Sequence, residues 1–171
     1  MGPSAEGRGR VVRILAVASI VWPLMMAAAV WDRAANGGSV WSSGLYAAAS
    51  RICHQRSERS FHTAGVKWPV CGRCSGLYLA APIGAVAAVM ASRRRRKDVA
   101  GRLTHRVNRL PRSVVLLLAI ASAPTALTLA GEWSGLIPVT TLARALAAVP
   151  LGAAIAFVIV RVASGAPRTI E

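Results

Sequence analysis

Cysteine and histidine, held close together, are the side chains of this sequence best suited to chemistry. Cys53-His54 is followed further along by Cys71-Gly72-Arg73-Cys74, and these are the only cysteines of the chain. His62 lies between the two groups, and Arg59 and Arg73 accompany them. Cys53, His54, Cys71 and Cys74 offer three sulfurs and one imidazole, a donor set that suits tetrahedral zinc. Adjacent side chains do not easily point at one ion, so one of Cys53 and His54 stands behind the other, and His62 is then an alternative ligand. The same residues suit thiol–disulfide exchange. A thiol at a helix N-terminus beside an arginine has its thiolate stabilised; Cys53 would be the third exchanging thiol and His54 the proton carrier. A third reading is structural, with a disulfide or a bound metal stapling the segment in a non-catalytic accessory or transport subunit. Residue types and spacing leave these three open, and with them whether the chain is an enzyme. Arg59 adds a planar donor for an anionic head group or substrate, or for carbonyls and Glu58 of its own segment.

The elements that position these residues are apolar. Of 171 residues 54% are hydrophobic and 16% charged, and the mean hydropathy is +0.49. Four runs, at about 14–31, 75–91, 113–130 and 142–160, approach the roughly 17–25 apolar residues that a membrane helix needs. The expected fold is therefore all-α, a polytopic membrane protein with a four-transmembrane-helix bundle. It forms a single membrane domain over 1–171, with an extracytoplasmic Cys/His loop at 32–74. Each run contains a proline (Pro23, Pro82, Pro124, Pro150), which packed membrane helices tolerate. Gly76, Ala80, Gly84 and Ala88, and again Ala148, Gly152 and Ala156, place a small residue at every fourth position, the spacing that lets two membrane helices pack closely. Arg8, Arg10, Arg13 and the alanines at 27–29 also resemble a cleavable secretory signal. The apolar stretch exceeds the usual signal core of about 7–15 residues, and Trp31 suits an interfacial anchor, so a retained helix is expected.

Charge sets the orientation. The chain carries 21 Lys and Arg against 6 Asp and Glu, a net +15. Almost all of these charges lie between the apolar runs, where they report topology and contact with anionic lipid. No aromatic platform or binding motif joins them, so the partner expected is the lipid bilayer and no nucleic acid. The link 93–112 holds Arg93 to Lys97 and further arginines, whereas the link between the third and fourth runs has only Glu132. The basic loop 93–112 should be cytoplasmic, and with it both termini, in a multi-pass protein of the inner (plasma) membrane. Arg144 opens the fourth run near Glu132, and because charges at membrane depth are costly unless paired, the two are expected to meet, or Arg144 to reach into the loop. Four helices are few for a transporter, so a transport path would require a homo-oligomer, and the scarcity of charges in the middle of the spans argues against a hydrophilic path. The chain contains no phosphate-binding loop, dinucleotide fingerprint, nucleophilic serine motif or paired catalytic carboxylates. Lysine occurs only at 67 and 97, an arginine bias that suggests a bacterial source.

Cys53-His54-Gln55, then Arg59-Ser60-Phe61, then Pro69-Val70-Cys71-x-Arg73-Cys74-x-Gly76-x-Tyr78 resembles the DUF2085 family of small bacterial membrane proteins of unknown function. The likeness is close over 53–78 and looser over the later helices. It implies a multi-span membrane fold and carries no activity. Family members often have an acidic residue within the third helix. The comparable stretch here, Pro124 to Leu127, has none, and Glu132 is the candidate substitute.

Overall fold

The computed structural model describes residues 5–99, 112–135 and 137–164. Most of the basic link, 100–111 with His105, lies outside the described residues, as does the segment 165–171 with Arg168. Eight elements follow in order: α1 (Ala5–Asn36), α2 (Val40–Ser50), a 3-10 turn (Ser57–Arg59), β1 (Ser60–Thr63), β2 (Val66–Cys71), α3 (Gly72–Val99), α4 (Arg112–Trp133) and α5 (Thr141–Ser164).

Four of these helices, α1, α3, α4 and α5, are long and apolar enough to cross a membrane, as the four runs predict. The helices outlast the apolar stretches. α1 has 32 residues, so at about 1.5 Å per residue it exceeds a hydrocarbon core of roughly 30 Å by several turns. α3 likewise continues through the arginine run to Val99, because arginine and lysine are good helix formers once past the lipid. Large apolar side chains face outward, Ile14 being 60% and Leu127 72% exposed. Among lipid tails, such exposure carries none of the hydrophobic penalty it would have in water.

The small-residue stripe is where α3 and α5 join. Ala80, Ala88 and Ala148 are buried. A Cβ built on Gly76 would stand 2.0 Å from the Ala145 carbonyl oxygen, and one on Gly84 1.9 Å from that of Ala153. The two backbones therefore touch directly, with no room for a methyl group. α1 packs on this central pair and α4 lies along α5, tied by a 2.9 Å hydrogen bond from the Thr125 hydroxyl to the Ala147 carbonyl.

The segment 32–74 is folded. Gly37 and Gly38 take positive φ angles of 72° and 97° just past the end of α1, the usual way a helix is closed and the chain reversed. Ser39 then caps α2 in a reciprocal box with Ser42, while the Asp32 carboxylate accepts from the Ser39 N–H at 2.9 Å and its hydroxyl at 2.7 Å. One serine thus joins the last turn of α1 to the first of α2. Ser39→Ala should lower stability by about 1 kcal/mol, typical of a lost cap, read as a drop in melting temperature in detergent. β1 and β2 form an antiparallel hairpin pairing Ser60 with Cys71 and Thr63 with Val66. Its two-residue turn has Ala64 at φ 50° and Gly65 at φ 77°, the mirror-image geometry that matches the twist of paired strands. This hairpin and α2 are additions to the bundle that apolar run length did not reveal.

Candidate metal centre

Cys53 reaches the site from the end of α2. Its N–H donates to the Ala49 carbonyl at 3.0 Å, and its side chain is buried with Met26 and Ala29 of α1, Leu45, Tyr46 and Ala49 of α2, and Val70 of β2. Cys71 closes β2, and Cys74 lies in the first turn of α3. The three sulfurs lie within 4.8 Å of one another, and the Cys71 N–H points at the Cys53 sulfur at 3.2 Å. A hydrogen bond from the Cys74 thiol holds the Cys71 thiol down to about 5, helped by the Cys74 and Arg73 N–H groups and the Cys53 side chain, while burial opposes the shift. All three are free thiols. The donors aimed at the Cys71 sulfur favour the thiolate of that residue, the form that binds soft metals and attacks disulfides.

Three of the four expected ligands come together and the histidines stay apart from the group. Cys53 turns inward and His54, the next residue, is exposed at the rim of the same cleft. His62 is exposed on β1 with its Nε2 3.1 Å from the Ser57 hydroxyl. The sulfur set is therefore Cys53, Cys71 and Cys74, and an imidazole is not part of it in this conformation.

The backbone turn that separates Cys53 from His54 is held by polar contacts. Gln55 adopts φ 49°, its amide nitrogen donates to the Tyr46 carbonyl at 2.8 Å, and its own carbonyl accepts from the Lys67 ammonium at 2.7 Å. Lys67 in turn offers its carbonyl to the Tyr46 hydroxyl, and the Arg33 guanidinium lies over the Tyr46 ring at 3.8 Å. Gln55, Lys67 and Tyr46 thus clamp the turn between α2 and the hairpin. Tyr46 and Lys67 carry little signal in the sequence, only apolar i, i+4 spacing in 41–49 and one of two lysines in an arginine-rich chain.

Ser60 and Phe61 serve the frame. The buried Ser60 hydroxyl donates to the Arg56 carbonyl at 2.8 Å, and Phe61 meets Trp68 edge to face at 6.3 Å. Tyr78 packs below the sulfurs, edge to face with Trp22 at 5.9 Å. Glu132, at the end of α4, carries two ion pairs: Arg73 of α3 at 2.9 Å and Arg144 of α5. The expected Glu132–Arg144 contact is thus present, and Arg73 joins it instead of standing beside the thiolates alone. Arg59 and Arg144 both line the cleft over the sulfurs.

Residues 53–158 match a family described as "Predicted membrane protein (DUF2085)". An uncharacterized protein of Methanocaldococcus jannaschii is 48% identical over 42 residues, which is 25% of this chain and 27% of that protein. An uncharacterized protein of Methanothermobacter thermautotrophicus is 53% identical over 30 residues, 18% of this chain and 27% of that protein. The chain spans about a quarter of the length of these curated relatives. Both are archaeal, so the likeness is not confined to bacteria. No solved structure matches the chain.

Proposed function

We propose, from the premise that the chain belongs to the DUF2085 family of predicted membrane proteins, that it holds a zinc-like ion on Cys53, Cys71 and Cys74 at one mouth of a four-span bundle. The convergence of the three sulfurs within 4.8 Å carries this reading. Zinc–sulfur bonds of about 2.3 Å set tetrahedral sulfurs roughly 3.8 Å apart, so small side-chain rotations complete the site. Three protein ligands leave a fourth position open toward the cleft where His54 stands, the arrangement of metal sites that bind a further ligand. The glutamate with its two arginines, on three helices, fixes the mouth around it.

Purified wild-type protein should contain close to one equivalent of zinc by elemental analysis, and Cys71→Ser should lose most of it. A metal-free wild type with a reducible Cys71–Cys74 bond would overturn the proposal. That outcome belongs to a second reading, favoured by the position of Cys71 and Cys74 at the start of α3 with Cys53 beside them. There the pair would reduce a substrate disulfide to two thiols and become a disulfide itself, both electrons and both protons passing to the substrate.

The sulfurs lie at the bundle end where α1 and α4 finish and α3 and α5 begin, opposite the arginine run. By the positive-inside rule that end faces away from the cytoplasm. A cysteine introduced at exposed Ser134, between α4 and α5, should react in intact cells with a maleimide that cannot cross membranes. Labelling only after the cells are opened would reverse the orientation.

A further inference from the structure

Over the three sulfurs opens a cleft of about 300 Å³, half enclosed by protein. Arg56, Arg59, Arg73 and Arg144 form its walls, with His54 at the rim. Among the described residues, Glu132 is the only carboxylate paired with any of these guanidiniums, and it serves Arg73 and Arg144. Arg56 and Arg59 have no ion-pair partner among the described residues, although Arg59 is half-buried. The Arg73 Nε is buried with no hydrogen-bond acceptor. A divalent ion on three thiolates would carry a single negative charge, which leaves the cleft positive. In a partly enclosed site the field of such charges is screened less than at an open surface.

We infer that this cleft binds a phosphate-class oxyanion directly above the sulfurs, gripped by Arg56 and Arg59 within the field of Arg73 and Arg144. Guanidinium forks match the oxygens of such an anion in pairs. Donors approaching from the 3-10 turn on one side and from α3 and α5 on the other suit a tetrahedral anion of several oxygens better than a flat carboxylate. The inference rests on the metal reading only in that anion and metal share one cleft; the guanidiniums are there in either case. The anion has two natural sources, a phospholipid head group at the membrane surface or free phosphate, and the chemistry of capture is the same.

The test is calorimetric titration of the full-length protein in dodecyl maltoside with inorganic phosphate, with and without phosphatidylglycerol in the micelles. Saturable binding is expected. Arg56→Gln/Arg59→Gln should weaken it at least roughly tenfold, since each lost bond joins two charged groups, with zinc content and melting temperature unchanged. Competition by phosphatidylglycerol assigns the ligand to a head group, and indifference to the lipid assigns it to the free anion. Metal present without phosphate or lipid binding, or the double variant binding as the wild type does, overturns this inference and leaves the metal reading standing. A metal-free wild type that still binds phosphate through Arg56 and Arg59 overturns the metal reading and leaves this one.

Discussion

Glu132→Ala is expected to destabilise the protein by about 1.5–3 kcal/mol, since it removes the charged acceptor from two part-buried guanidiniums. Among the described residues Glu132 is the one carboxylate paired with Arg73 and Arg144, whose side chains are 17% and 13% exposed, its own being 9%. Its removal leaves two guanidiniums facing each other near the membrane boundary. Arg144→Ala should cost much less, because Glu132 keeps Arg73 at 2.9 Å. Glu132→Gln should fall between, since an amide retains the shape and one acceptor. Because the three residues sit on α3, α4 and α5, the loss is of a link between helices and should appear as a lower melting temperature in detergent. Equal losses for Glu132→Ala and Arg144→Ala would show that the charges are solvated individually and that the triad is not a unit.

Gly76→Ala and Gly84→Ala should each disrupt the central helix pair, although each adds only one methyl. The added carbon would lie 2.0 Å and 1.9 Å from backbone carbonyl oxygens of α5, atoms that cannot rotate away as a side chain can. Overpacking usually costs about 1–3 kcal/mol, and here separation of two backbones is required, so the upper end or beyond is expected. Under the proposed metal reading the two variants should also differ in zinc content. Gly76 lies two residues after Cys74 and faces Ala145, next to Arg144, so shifting it moves both the sulfur and the ion pair. Gly84 sits two turns deeper and should reduce stability while zinc content holds. Gly44→Ala is the control. Nothing lies within 4 Å of its Cβ position, and replacing a mid-helix glycine should stabilise α2 by roughly 0.5–1 kcal/mol. Thermal melts and zinc analysis on the same preparations check all three, and a Gly76→Ala protein as stable as the wild type would refute the backbone-contact account.

What the sequence determined alone was whatever depends on composition over a local stretch. Apolar run length sets the four spans, since lipid thickness fixes how many apolar residues a helix needs. The four-residue repeat of small side chains marks the α3 and α5 faces because helical periodicity brings those positions onto one side. The sulfurs were legible as a group because no other cysteine exists, and Glu132 with Arg144 because unpaired charge at that depth is too costly. Only the tertiary structure decided which donors converge. Cys53 faces in and His54 out because the left-handed Gln55 turn is clamped by Lys67 and Tyr46, residues from a strand and a helix on either side of it. Arg73 is beside a cysteine in sequence, yet its partner is Glu132, 59 positions away. Such a choice is settled by where α3, α4 and α5 end together, and distance in space, unlike periodicity, is not written in neighbouring residues.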